Sequence, residues 1–192
     1  MEAVKYSVIP LGRLFANCCV LTDDRGTAVV IDPGGDPAPV IDLLSENGLE
    51  LKAILLTHGH EDHIEGVQAL KDATGAPVLV GAGDAYRMPV EPDELLYGGE
   101  RLRFGDISLE VIAAPGHTEG GVCYLWGKHM FCGDTLFHGS VGRTDLPGGD
   151  WNTLCRTLEI LKSRFSDGDL TVIPGHGESF YLKHEMEYNP FL

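Results

Sequence analysis

The segment Thr57-His58-Gly59-His60-Glu61-Asp62-His63 gathers four metal-ligating side chains, His58, His60, Asp62 and His63, within six positions. With eight histidines in 192 residues, an H-x-H-x-D-H pattern arises by chance on the order of once in a thousand such chains. Imidazole and carboxylate together form the donor set of a metal centre. In an extended stretch His58 and His60 project to one side, because the side-chain period is two. The chain then turns into a helix, so Asp62 and His63 point in slightly different directions and can feed a neighbouring ion. Taken singly, these residues read as surface histidines and a helix-capping aspartate; the cluster does not.

One pattern repeats along the chain. His117 follows an apolar run at 108–113 through Ala114-Pro115-Gly116. Asp134 follows 129–132 through Gly133, and His176 follows 171–174 through Gly175. Asp32 ends the run 28–32 and precedes Pro33-Gly34-Gly35. Five strands therefore end in glycine-rich loops carrying His or Asp, and such loops can line a common cavity. The donors His58, His60, Asp62, His63, His117, Asp134 and His176 are too many for one tetrahedral zinc, which takes three or four protein ligands. They suit two divalent ions roughly 3.5–4 Å apart that share a bridging carboxylate. Imidazole with carboxylate suits zinc, iron or manganese and does not discriminate among them. Asp32 reads as a carboxylate behind the ligands, orienting one histidine. His129, His138 and His184 lack the pattern. Lys128-His129 reads as a surface turn, and Cys132 reads as packing rather than ligation.

The elements that must carry these residues are short. Residues 6–9, 18–22 and 27–32 read as an opening antiparallel meander, with Asp23-Asp24-Arg25-Gly26 as one turn. Further strands are expected at 53–57, 78–80, 108–113, 122–126, 129–132 and 171–174, with Gly127-Lys128 as a hairpin turn. Asp36-Pro37 starts a helix whose apolar stripe is Val40, Leu43 and Leu44, stopped by Gly48. A second helix is expected from about Asp62 to Thr74, closed by Gly75. A third follows Asp150, with Trp151, Leu154, Leu158, Leu161 and Phe165 as its core stripe and Gly168 as its end. This alternation predicts one α/β domain over residues 1–192.

Composition narrows the function. Asp and Glu total 29 against 14 Lys and Arg, a net charge of −15. A basic face for nucleic acid is therefore not expected. No apolar run approaches the roughly 18 residues of a membrane helix. The N-terminal MEAVKYSVIPLG has no basic start followed by an apolar core, so no secretory signal is expected. Five cysteines, two of them adjacent and none in C-x-x-C spacing, argue against a disulfide framework and for a reducing, cytoplasmic setting. Oligomeric state is not legible.

In order and spacing, T-H-x-H-x-D-H at 57–63, His117, G-D-T at 133–135 and P-G-H-G at 174–177 resemble the metallo-β-lactamase-fold hydrolases. Gly133-Asp134-Thr135-Leu136-Phe137, Gly142-Arg143-Thr144-Asp145 and the closing Asn189-Pro190-Phe191-Leu192 resemble the glyoxalase II (hydroxyacylglutathione hydrolase) branch in its short form. The resemblance implies a four-layer αββα sandwich with the metals at one edge between two sheets. It implies one site of His58, His60 and His117, a second of Asp62, His63 and His176, and Asp134 bridging. Zinc β-lactamases usually carry Cys where Asp134 stands, and flavodiiron proteins carry Glu where His60 stands. Only 16 residues follow His176, so the C-terminal helical domain of the long glyoxalase II form is expected to be absent. Arg143 matches a basic substrate-contact position of the family, although Asp145 stands where the long form has tyrosine. His138, near the loop after Asp134, is a second candidate for the pocket wall.

The implied reaction is hydrolysis of a small-molecule thioester, of the S-lactoylglutathione kind, by a metal-bridging hydroxide, with Asp62 orienting that hydroxide. Persulfide dioxygenases of the same fold are the alternative. They hold one iron at positions matching His58, His117 and Asp134, and share a G-R-T-D stretch like 142–145.

Overall fold

The computed structural model describes residues 4–166 and 169–192. Strands β1 (Lys5–Leu11), β2 (Ala16–Thr22) and β3 (Thr27–Ile31) form an antiparallel meander, which β4 (Glu50–Leu55), β5 (Val78–Gly81) and β6 (Glu94–Leu96) extend in parallel, in the order β1-β2-β3-β4-β5-β6. Parallel neighbours need crossovers. Helix α1 (Ala38–Glu46) joins β3 to β4, and α2 (Glu61–Ile64) with α3 (Val67–Thr74) joins β4 to β5. The second sheet is built from β7 (Arg101–Phe104), β8 (Ile107–Ala113), β9 (Val122–Trp126), β10 (His129–Gly133), β13 (Thr171–Pro174) and β14 (Phe180–Tyr181). It runs in the order β14-β13-β10-β9-β8-β7. Between β10 and β13 the chain makes a two-stranded hairpin, β11 (Leu136–Phe137) with β12 (Ser140–Val141), and then helix α4 (Trp151–Arg164). Helix α5 (Leu182–Tyr188) follows β14.

Side-chain alternation along the strands sorts the core into three layers. From β3, Ala28 and Val30 pack outward with Val40 and Leu44 of α1 and Val67 and Leu70 of α3. Val29 and Ile31 face inward and meet Val111, Tyr124, Phe131 and Ile173 of the second sheet. On the far side of that sheet Met130, Cys132 and Val172 pack under Leu154, Leu158 and Leu161 of α4. Helix, sheet, sheet, helix is thus the layer order. Phe131 and Cys132 face opposite sides of β10, and Cys132 is buried in the α4 layer.

Three local readings need correction. The helix expected over 62–74 is broken, because the Gly66 N–H donates to the Pro33 carbonyl at 2.8 Å instead of continuing the helical ladder. The backbone there approaches so closely that a Cβ at Gly66 would lie 2.2 Å from the Gly35 oxygen. Trp151 leaves the core stripe of α4: it is 46% exposed and meets Phe191 edge-to-face at 5.9 Å. His129 opens β10 half-buried and stacks on Trp126 at 5.0 Å, rather than sitting in a free turn. Gly168, read as the stop of α4, lies outside the described residues. Among the described residues no helix is long and apolar enough to cross a membrane.

Candidate metal centre

The carboxyl ends of β4, β8, β10 and β13 converge on one edge between the sheets, and the loops after them bring seven donors together. Ligand atoms of His58, His60 and His117 lie within 4.8 Å of one another, with ring centroids 4.6–4.9 Å apart and near-perpendicular planes. Asp62, His63 and His176 form a second trio. There His176 Nε2 is 3.1 Å from Asp62 Oδ2 and 3.3 Å from His63 Nε2. Asp134 stands between the trios. Its Oδ2 is 3.6 Å from His117 Nε2, and its Oδ1 is 3.4 Å from His63 Nε2 and 3.8 Å from His176 Nε2.

The outer ring nitrogens set the tautomers. A carbonyl only accepts, so Nδ1–H of His117 donates to the Arg143 oxygen at 2.7 Å, and Nδ1–H of His176 donates to the Leu14 oxygen at 3.0 Å. The Thr57 hydroxyl donates to Asp32 Oδ2 at 2.6 Å, which leaves its oxygen to accept from His58 Nδ1 at 3.1 Å. The same Asp32 oxygen lies 3.0 Å from His63 Nδ1. Each of these rings therefore turns an Nε2 lone pair inward. Asp32 holds this position at φ +53, a left-handed conformation that costs a non-glycine residue roughly 1–2 kcal/mol.

Whether these residues fit metal ions is decided by what the inward atoms touch. His58 Nε2, His60 Nε2, His117 Nε2 and Asp134 Oδ1 are buried and have no hydrogen-bond partner among the described residues. Leaving one buried polar atom unsatisfied costs about 1–3 kcal/mol, and three imidazole nitrogens clustered together with a carboxylate oxygen beside the second trio call for cations. The facing Nε2 atoms of His63 and His176 would repel as two lone pairs unless a positive charge lay between them. Without metal that charge is a proton. Burial pulls the His63 pKa down, but the Asp134 and Asp32 carboxylates outweigh it and raise it to about 10. When His176 also carries a proton on Nε2, it donates to Asp62 and lowers that carboxyl to about 2; metal binding replaces this proton. Burial and the neighbouring imidazoles hold His58 well below its ordinary value, so it stays neutral. Neutral imidazoles and ionised carboxylates are the forms that bind metals.

Of the other sequence-singled residues, Arg143 and His138 stand apart. The Arg143 guanidinium is engaged by Asp145 through two bonds of 2.7 Å, and only its backbone serves the cluster. His138 Nδ1 is 2.6 Å from Glu185 Oε1. Glu185 also accepts from the Gly139 N–H at 2.6 Å and from Asn189, pinning the turn between β11 and β12 onto α5. Neither Arg143 nor His138 lines the cavity of about 570 Å³ beside His60 and Asp62, because each has its polar atoms committed elsewhere.

Asp84 escaped the sequence reading. It is fully buried and accepts from the Gly59 N–H at 2.8 Å, the Thr118 hydroxyl at 2.7 Å and the Gly120 N–H at 3.1 Å. One carboxylate thus ties the His58–His60 loop to the loop that follows His117. The signal was present: β5 runs into Gly81-Ala82-Gly83-Asp84, a sixth strand ending in glycines and an acid.

A family model described as the metallo-beta-lactamase superfamily matches residues 11–176. The hydroxyacylglutathione hydrolase GloC of Haemophilus influenzae is 33% identical over 206 residues, covering 96% of both chains. Among solved structures, the BLEG-1 B3 metallo-beta-lactamase superposes with a TM-score of 0.90 at 34% identity, covering 98% of this chain and 99% of that one. TTHA1623 in a di-iron-bound form superposes at 0.86 with 36% identity, covering 97% and 100%.

Proposed function

The chain belongs to the metallo-beta-lactamase superfamily, and from that premise we propose that it is a dinuclear metal-dependent hydrolase of small thioesters, of the hydroxyacylglutathione hydrolase kind. The observation that carries the metal reading is the set of four buried, unpartnered donor atoms, three imidazole nitrogens of one trio and the Asp134 oxygen that faces the other. His58, His60 and His117 would hold one ion, and Asp62, His63 and His176 the other. Asp134 would span them, since one of its oxygens faces each trio. Two divalent ions, zinc foremost with iron or manganese as alternatives, would supply a hydroxide at neutral pH and an electrophile for the carbonyl oxygen.

The chain's own groups favour a thioester over an amide. An amine leaving group must be protonated as it departs, whereas a thiol of pKa about 8.5 leaves as thiolate. The carboxylates at the centre cannot give that proton at neutral pH. As metal ligands, Asp62 and Asp134 would be held in the ionised form. The histidines are committed as ligands. Asp62, which only accepts when ionised, would take a hydrogen bond from the hydroxide and aim it. The full-length likeness to a hydroxyacylglutathione hydrolase supports the same substrate class. Arg143 would contribute through its carbonyl, by fixing His117.

The test is release of free thiol from S-lactoylglutathione by purified protein, with metal counted on the same sample. Thiol release with about two ions per chain is expected. One iron per chain with oxygen uptake on a persulfide, and no thioester cleavage, would replace this reading with the dioxygenase. A cephalosporin run in parallel checks the lactamase likeness, and its hydrolysis in preference to the thioester would refute the proposal.

A further inference from the structure

We infer that His138, His184 and Glu185 form a further metal site, outside the two trios, that takes a borderline divalent cation such as Zn2+, Cu2+ or Ni2+. The site does not depend on the hydrolase reading. Its residues come from two elements: His138 from the turn between β11 and β12, His184 and Glu185 from α5. One ligand atom of each lies within 4.8 Å of the other two. Two imidazoles converge on a single carboxylate oxygen, with His138 Nδ1 at 2.6 Å and His184 Nδ1 at 3.6 Å from Glu185 Oε1. Ligand atoms about 2.0–2.2 Å from a tetrahedral zinc stand roughly 3.3–3.6 Å from one another. The His184 separation already meets that spacing. The His138 separation is that of a hydrogen bond. Its ring, 68% exposed, is free to turn through the remaining distance as the ion takes the place of the shared proton.

A buried anchor separates this cluster from scattered surface charge. Glu185 is 1% exposed, and its other oxygen, Oε2, accepts from the Gly139 N–H at 2.6 Å and from Asn189 Nδ2 at 3.1 Å. Burial opposes its ionisation, yet the Gly139 N–H, His138 and Asn189 hold its pKa below the ordinary value. The carboxylate is thus charged and fixed, with Oε1 turned toward the two rings. His184 makes no hydrogen bond among the described residues, and its ring lies against Tyr188, one helical turn later, at 4.5 Å. Donors already held in place lose little freedom when a ligand arrives. Both imidazoles reach solvent, which gives an ion its path of entry and leaves water to complete the coordination. Imidazole nitrogen with one carboxylate oxygen selects zinc, copper or nickel over magnesium or calcium. A net charge of −15 draws cations toward the surface. An ion here would clip the β11–β12 turn to α5.

The experiment titrates zinc into the metal-loaded protein, counts bound ions by equilibrium dialysis and follows the imidazole 15N signals of His138 and His184. One ion per chain beyond those of the main centre is expected, bound more weakly, and its arrival should move both ring signals. His184→Ala removes a ring that makes no hydrogen bond, so the fold is kept; it should weaken this ion about tenfold or more and leave the others in place. His138→Ala together with His184→Ala should abolish it. No ion beyond those of the main centre, an added ion that moves neither ring signal, or one that the double variant still holds would each overturn the inference. A main centre that holds one ion or none bears on the proposed reaction alone, because the ring signals and the two variants report this site by itself.

Discussion

Asp84 and Glu185 are buried carboxylates that hold loops rather than reacting atoms, and the two differ in what their loss should do. Asp84 ties together the loops that position His58, His60 and His117. Removing an outer partner of this kind typically weakens metal affinity 10–100-fold. Asp84→Ala also strands the N–H groups of Gly59 and Gly120 in the interior, at about 1–3 kcal/mol each. Chelator competition should therefore show one of two ions weakened by that factor, with far-UV dichroism unchanged; two ions held as in wild type would sink the assignment. Glu185 lies far from that path, between α5 and the turn at Gly139. Burial opposes its ionisation, but the Gly139 N–H, His138 and Asn189 lower its pKa below the ordinary value. A depressed carboxyl pKa stabilises the fold above the unfolded value of about 4.3, and that stability is lost as pH falls through the folded value. Glu185→Gln should cost about 1–3 kcal/mol at pH 7, and urea midpoints of the two proteins should converge below pH 4. A gap that persists in acid would contradict the pairing.

Loop ends matter because the strands deliver donors only if the backbones between them touch. Gly34 shows this: a Cβ there would stand 1.8 Å from the Asp62 oxygen and 3.0 Å from the Ala16 Cβ. Gly34→Ala must push α2 outward, carrying Asp62 and His63 away from His176. Such overpacking costs about 1–3 kcal/mol, which is roughly 2–12 °C in a chain of this size. The ion at Asp62, His63 and His176 should be lost before the other, so metal content should fall from about two ions toward one; an unchanged count with unchanged Tm would refute the contact. Such packing explains what the sequence concealed. The donors were legible because four of them crowd into 58–63 after an apolar strand, and His117, Asp134 and His176 each follow a strand through glycine. The break at Gly66 was not, since it depends on the Pro33 carbonyl, which lies over 30 positions away in sequence and close in space. Strands β6, β11, β12 and β14 have two or three residues, too few for an alternation to show. Trp151 fitted the helical stripe of α4, yet it opens the helix and stands half in solvent, with Phe191 packed edge-on against it. Asp84 was visible in its glycine-rich setting and differs from the donors in being satisfied by two backbone N–H groups and the Thr118 hydroxyl.

At the scale of the molecule the centre is a seam. His58, His60, Asp62 and His63 belong to the sheet β1–β6, while His117, Asp134 and His176 belong to the other. The edge is already stitched by the Val122 N–H to the Thr57 oxygen at 2.8 Å, by the Asn17 N–H to the Gly175 oxygen, and by the Tyr124 hydroxyl to the Leu56 oxygen at 2.7 Å. Each trio draws donors from both sheets, so ions bound there clamp the two halves together. Ions bind the folded arrangement and not seven donors dispersed along an unfolded chain, so they stabilise the whole fold by mass action. At a free metal concentration 1,000 times Kd this is about 4 kcal/mol, or roughly 8–16 °C for a domain of this length. Dialysis against a chelator should lower Tm by that amount and leave the helix and strand content in place below the transition, because the apolar layer of Phe131, Tyr124 and Val111 joins the sheets without metal. Readdition of zinc should restore Tm with a dependence on metal concentration. If Tm ignored metal altogether, the donors would not be closing a seam between the sheets, and the reading of the fold as a frame for a shared ion pair would fail.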